Sequence, residues 1–177
     1  VGDELRSKML TKPMRGLSGV TVVAVMTRPA RCPHGKCVYC PGGIGSPFGD
    51  MPQSYTGNEP ATMRGVRAGF DSYLQVFSRL ESYIASGHSP ETVALIVMGG
   101  TFLNEEEPYR TGFVADVYRA MNDFSAMFYK KGIIDLARFK EFFELPGDMR
   151  DPGREKRINP AILYTMAKIG ADEIYCL

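Results

Sequence analysis

The sequence contains no run of eighteen apolar residues and so offers no helix able to cross a bilayer. A hydrophobic stretch of signal-peptide length is missing from Val1 to Leu10, which leads us to expect a cytoplasmic chain in a reducing compartment. Charge of one sign is also not in excess: 21 Lys and Arg face 20 Asp and Glu, for a formal net charge of +1. Gly (19) and Pro (12) fall short of a low-complexity composition, and 44% apolar residues exclude a disordered tail. No internal repeat is visible. A chain of 177 residues buries roughly two-thirds of the surface it would expose unfolded, and needs no disulfide staples. Its four cysteines therefore call for another explanation, and in a reducing compartment clustered cysteines are metal ligands more often than disulfides.

The small net charge hides an uneven distribution. Residues 1 to 40 hold seven Lys or Arg against two acids, leaving that end near +5 and the remainder near −4. Such a basic lip suits a polyanion, although a solvated face is the plain alternative for each residue singly.

Val20 to Met26 is a short run of β-branched and apolar residues and predicts a first strand, buried on both faces. Residues 28 to 60 carry six prolines, with five glycines between 35 and 49, and predict a long loop. Loops of that length are mostly functional. Apolar residues recur at three-and-four spacing from Ala61 to Ser86, which predicts one helix stopped at Gly87. Val93 to Met98 reads as a second buried strand, ended by Gly99-Gly100, and Tyr109 to Phe124 as a helix. Strand, helix, strand, helix implies an α/β fold of parallel strands, incomplete in this chain. Short helices are expected at Leu136 to Phe143 and Ile162 to Ile169, flanking a turn-rich stretch from Pro146 to Pro160. Ile174 to Leu177 would open a third strand.

The chemistry concentrates in Arg31-Cys32-Pro33-His34-Gly35-Lys36-Cys37-Val38-Tyr39-Cys40, where three cysteines fall within nine residues. This loop leaves the first strand at its C-terminal end, where β/α folds place their sites. Two metal readings are open. Three thiolates plus His34 would make a closed tetrahedral zinc centre. Three thiolates alone would hold three irons of a 4Fe-4S cluster and leave the fourth open to a ligand. Cys176 lies far along the chain in an apolar context and reads as a core cysteine.

Cys-x4-Cys-x-Tyr-Cys resembles the cluster loop of radical S-adenosylmethionine (SAM) enzymes, with four residues rather than the common three between the first two cysteines. The neighbouring words narrow the resemblance. Leu17-Ser18-Gly19-Val20, Cys37-Val38-Tyr39-Cys40-Pro41-Gly42-Gly43, Gln53-Ser54-Tyr55-Thr56-Gly57 with Glu59-Pro60, and Val97-Met98-Gly99-Gly100-Thr101-Phe102 together resemble the catalytic subunit of Elongator in its archaeal form. The resemblance runs from about Lys12 to Asp123. After Asp123 the family's next strand is not matched, and its C-terminal acetyltransferase-like domain is absent, so the chain is expected to be a piece of a longer protein.

The resemblance implies a partial radical SAM (β/α) barrel over residues 20–177, with its cluster loop at 28–60, preceded by a basic segment at 1–19. It implies carboxymethylation at carbon 5 of the wobble uridine of tRNA, with acetyl-CoA as donor. In that family SAM is cleaved at the cluster to a 5′-deoxyadenosyl radical, which takes a hydrogen from the acetyl group. Cys32, Cys37 and Cys40 would hold the 4Fe-4S cluster, and Tyr39, Gly99, Gly100 and Thr101 would contact SAM. Lys8, Lys12, Arg15, Arg28, Arg31 and Lys36 would meet the phosphates of a tRNA anticodon stem-loop. The expected partners are that RNA, a second copy of the chain or Elongator-like subunits, and no membrane. Where the family has a lysine ahead of the second strand this chain has Thr92, which places the acetyl-CoA site mostly outside it. The rival from another class is a zinc-stabilised RNA-binding module without catalysis, built on Cys32, His34, Cys37 and Cys40, and a third is a structural piece retained for assembly.

Overall fold

The computed structural model describes residues 18–100, 102–149 and 151–168. The expected strand at Ile174 to Leu177, and the residues Lys8, Lys12, Arg15, Thr101 and Cys176, lie outside these. Strand β1 (Val20–Met26) is followed by a long loop and helices α1 (Pro60–Arg67) and α2 (Ser72–Ala85). Strand β2 (Thr92–Met98), a 3₁₀ turn at Phe102–Asn104 and helix α3 (Glu107–Phe128) come next. A two-residue hairpin, β3 (Tyr129–Lys130) and β4 (Ile133–Ile134), leads to α4 (Leu136–Phe142) and α5 (Pro152–Lys168).

β1 and β2 pair in parallel, from Val20 opposite Thr92 to Met26 opposite Met98, and the mixed α/β class expected from the sequence is observed. Burial of both strand faces is not. Thr21, Val23 and Val25 are buried beneath the helices, while Val20 and Val22 on the opposite face are 38% and 42% exposed. No residue of β2 is fully buried. The helices cover one face, and on the other Val20, Val22 and Ile96 are exposed while only Met26, at the end of β1, is fully buried.

The expected single helix over Ala61 to Ser86 is two. Gly69 (φ 59°) and Phe70 (φ 59°) turn left-handed, and the Phe70 N–H bonds the Gly65 carbonyl at 2.7 Å, a helix stop of the kind glycine favours. Asp71 then starts α2, its carboxylate accepting the Leu74 N–H at 2.8 Å. The apolar spacing continues across the break, which hid it.

Beyond β2, Pro160 was expected in a turn but sits inside α5. Asp151 caps that helix, accepting from the Gly153 and Arg154 amides at 2.9 and 3.1 Å. Ile158 and Ile162 are buried, and Arg154 ties the helix down through Glu81 and the Phe143 carbonyl. An interior proline costs a helix about 3 kcal/mol, which this anchoring offsets. The β3–β4 hairpin was not expected either. Lys131 (φ 52°) and Gly132 (φ 77°) make the two-residue turn with a lysine where asparagine is usual.

The core lies between the sheet and the helix layer. Val23, Val25, Tyr73, Phe77, Phe124, Phe128, Phe139 and Phe143 are its large members. Phe124 and Phe128 meet edge to face at 4.8 Å, and Tyr73 stacks on Phe77 at 4.9 Å, contacts worth about 0.5–1.5 kcal/mol each beyond burial. Within this core the Tyr73 hydroxyl donates to Asp123 at 2.6 Å, and burial, then that carboxylate, push the phenol well above its usual range. Gln75 is buried too, accepting the Met26 N–H at 2.8 Å and donating to the Met26 carbonyl at 2.9 Å. The end of β1, where the long loop begins, is thereby fixed.

Candidate functional site

Because β1 and β2 run parallel and in register, their C-terminal ends lie side by side, and the Thr27 N–H donates to the Met98 carbonyl at 2.8 Å. The cysteine loop and Gly99-Gly100 therefore leave the sheet at one edge. The approach is close. A Cβ on Gly99 (φ 138°) would stand 1.9 Å from Thr27 Oγ1, and one on Gly100 would stand 2.4 Å from the Gln53 Cβ. Only glycine admits such contacts.

Two tight turns shape the loop. The Gly35 N–H bonds the Cys32 carbonyl, and the Cys40 N–H the Cys37 carbonyl, each at 3.0 Å. The His34 ring lies between the first two thiols, with Nδ1 3.3 Å from Cys32 Sγ and Nε2 3.3 Å from Cys37 Sγ. Cys40 is buried and engaged elsewhere. Its thiol donates to Gln53 Oε1 at 2.9 Å and accepts the Ser54 N–H at 3.2 Å. The loop then folds over itself at Gly42, where a Cβ would meet the Tyr55 carbonyl oxygen at 1.8 Å.

Among the described residues, no three His, Cys, Asp or Glu side chains converge as a set able to hold a metal ion. The chemistry of the donor set nevertheless fits a soft centre. The loop's carboxylates are committed to its own amides: Asp50 accepts from Gly45 at 2.8 Å, and Glu59 from Thr56 and Gly57 at 2.9 and 3.1 Å. What remains in the loop for a metal is thiol and imidazole, a set for iron-sulfur or zinc rather than for magnesium or calcium.

Tyr39 is 89% exposed beside these cysteines, so it is not packed against the strand ends. Arg31 and Lys36 are exposed on the same loop. Arg28 is already occupied. Its guanidinium meets Glu105 Oε2 at 2.6 and 3.0 Å and lies 4.1 Å over the Tyr109 ring, while the Arg28 backbone N–H donates to the Tyr109 hydroxyl at 3.0 Å. Bonding to Glu105 raises the Arg28 pKa further.

No family model matches the chain. Individual proteins do. Over 112 residues the chain is 56% identical to a tRNA uridine(34) acetyltransferase of Methanocaldococcus infernus, covering 63% of this chain and 21% of that protein. Over 168 residues it is 45% identical to a tRNA uridine(34) acetyltransferase of Methanocaldococcus jannaschii, covering 93% of this chain and 31% of the relative. It is also 47% identical over 123 residues to human Elongator complex protein 3, covering 67% of this chain and 22% of that protein.

The chain belongs to the Elongator catalytic-subunit family in its archaeal form. It spans between about a fifth and a third of the length of these relatives. The Methanocaldococcus jannaschii match also corrects the expectation that kinship ends at Asp123, since at 93% coverage most of the later segment is included. α4 and α5 thus belong to this Elongator-type sequence, although they resemble none of the words that identify it.

Sequence reasoning missed Gln53, which touches both halves of the site: its amide oxygen receives the Cys40 thiol, and its Cβ fills the space that Gly100 leaves. Its place at the head of the word Gln53-Ser54-Tyr55-Thr56-Gly57 could have signalled it. Glu105 and Tyr109, which hold Arg28, were missed for want of any local pattern.

Proposed function

We propose that this chain is the cluster- and SAM-holding part of an enzyme that modifies carbon 5 of the wobble uridine of tRNA. Cys32, Cys37 and Cys40 would ligate a 4Fe-4S cluster in a partial radical SAM barrel. The reading is carried by one observation: a loop with three cysteines leaves the C-terminal end of β1 where β2 ends in a glycine pair, and Gln53 touches both Cys40 and Gly100. Bound there, a cluster with three thiolate ligands supplies an open iron and the electron for reductive cleavage of SAM.

The chain's own residues hold and orient. Gly99 and Gly100 let Thr27 and Gln53 close against the end of β2, and the backbone carbonyls at that end would meet the SAM amino group. Tyr39 offers an exposed ring to the adenine. Gln53 restrains Cys40. Arg31 and Lys36 face solvent near the thiols and would take tRNA phosphates, whereas the charge of Arg28 is largely offset by Glu105. The archaeal relatives' name, tRNA uridine(34) acetyltransferase, supports acyl transfer; acetyl-CoA would be the donor, its site mostly outside these 177 residues. The naming of Elongator complex protein 3 supports partner subunits.

A second reading is favoured by the two His34–thiol contacts: a zinc-stabilised RNA-binding module using Cys32, His34, Cys37 and Cys40. Metal analysis of anaerobically purified protein separates the two. Iron and sulfide, lost in Cys37→Ala and kept in His34→Ala, support the cluster. Zinc lost in His34→Ala, or normal iron in Cys37→Ala, overturns it.

A further inference from the structure

A second polar site lies behind the sheet, away from the cysteine loop. A cavity of about 280 Å³ opens between α1, α2 and α5, lined among others by Arg64, Arg67, Ser78, Ser82, Arg154 and Asn159. Its carboxylates are already spoken for: Glu81 pairs with Arg154, and Glu155 with Arg67 at 3.6 Å. Arg64 is the exception. Its Nε is buried without a hydrogen-bond partner, and among the described residues no carboxylate pairs with it. Burial first, then the neighbouring Arg79 and Arg67, pull its pKa down to about 10. Arg79 gives no relief. It stacks over the Tyr83 ring at 4.1 Å, donates to that hydroxyl, and has an unpartnered Nε of its own.

A half-buried guanidinium that is crowded by like charges and left without an acceptor is costly unless an anion completes it. The walls carry one positive charge in excess, together with hydroxyl and amide groups suited to neutral hydrogen bonds. Guanidinium groups match oxyanions with two parallel N–H donors.

We propose that this cavity binds a phosphate group, with Arg64 as its direct partner and Arg67 at the rim. The site is independent of the cluster reading. The phosphate could belong to an RNA backbone or to a free phosphate or mononucleotide, and the experiment separates these sources.

The test is calorimetric titration of the full chain with inorganic phosphate, in parallel with a short RNA stem-loop over a salt series. Wild type binds phosphate, Arg64→Gln binds it roughly tenfold or more weakly, as for loss of a charged hydrogen bond, and Arg64→Lys retains part of the affinity. If Arg64→Gln also lowers the salt slope of RNA binding by about one unit, the phosphate is a backbone one. An unchanged slope with lost phosphate binding assigns a free phosphate or mononucleotide. Ser82→Asp keeps Arg64 and brings a carboxylate to the cavity, so it should raise the melting temperature and abolish phosphate binding even if Arg64→Gln fails to fold. Absence of phosphate binding to wild type, or equal binding by wild type and these variants, overturns the proposal and leaves Arg64 to a carboxylate from elsewhere in the protein.

Discussion

The Cys40 thiol and the Gln53 side-chain oxygen lie 2.9 Å apart, joining positions thirteen residues distant in the sequence. Among the described residues the Cys32 and Cys37 thiols hydrogen-bond only to the His34 ring, within their own turn. The three thiols are therefore unequal before any metal arrives.

Replacing Gln53 with Ala should release Cys40 alone. In metal-free protein its reaction with a thiol reagent should accelerate about fivefold, the factor corresponding to the ~1 kcal/mol of one hydrogen bond. Peptide mapping of the labelled cysteines checks this, and equal acceleration at Cys32 and Cys37 would show general loosening of the loop instead.

Gly42→Ala should destabilise the chain by about 1–3 kcal/mol, as overpacking does, because the new methyl would fall 1.8 Å from the Tyr55 carbonyl oxygen. Gly45→Ala meets nothing within 4 Å, though φ is 73° there, and should cost less. Denaturant titration of both variants makes the comparison, and the reverse order would mean that the loop is not folded back at Tyr55.

The Arg154–Glu81 pair is buried on both sides. Burial pushes the Glu81 carboxyl up, and Arg154 pulls it back. Removing one partner, as in Arg154→Met, should cost about 3–5 kcal/mol, while Arg154→Met with Glu81→Leu should recover most of that loss. A double variant no better than the single would show that the bond from Arg154 to the Phe143 carbonyl dominates.

Acid should loosen the loop at Glu59. The Thr56 amide, then other loop donors, hold this carboxyl at about 2, below its ordinary 4.5. A lowered pKa contributes stability fully above the unfolded value and loses it as pH falls through the folded one. The melting temperature of wild type should therefore drop between pH 4.5 and 2 more steeply than that of Glu59→Gln. Parallel curves for the two proteins would remove Glu59 from the account.

The strands, α2 and α3 were legible because their apolar patterns are local, and the cysteine loop because prolines and glycines forbid anything regular there. Their parallel arrangement followed from the alternation of strand and helix. What escaped depends on contacts between distant residues. Val22 lies open on the face turned away from the helices, which no local pattern records. Pro160 reads as a helix breaker until Arg154 and Ile158 are seen to pin its helix. In the site the thiols were legible as a set, but their inequality was not, since it depends on how Gln53 folds back.

The Gln75 amide gives the sheet a direction of growth. Both backbone polar groups of Met26 are satisfied by that one side chain, so β1 has nothing to offer another strand at that point on its outer margin. β2 has no such cover among the described residues. At the level of Met26 a further strand would therefore pair with β2 rather than β1, and a stray extended peptide is turned away from β1 beside the cysteine loop.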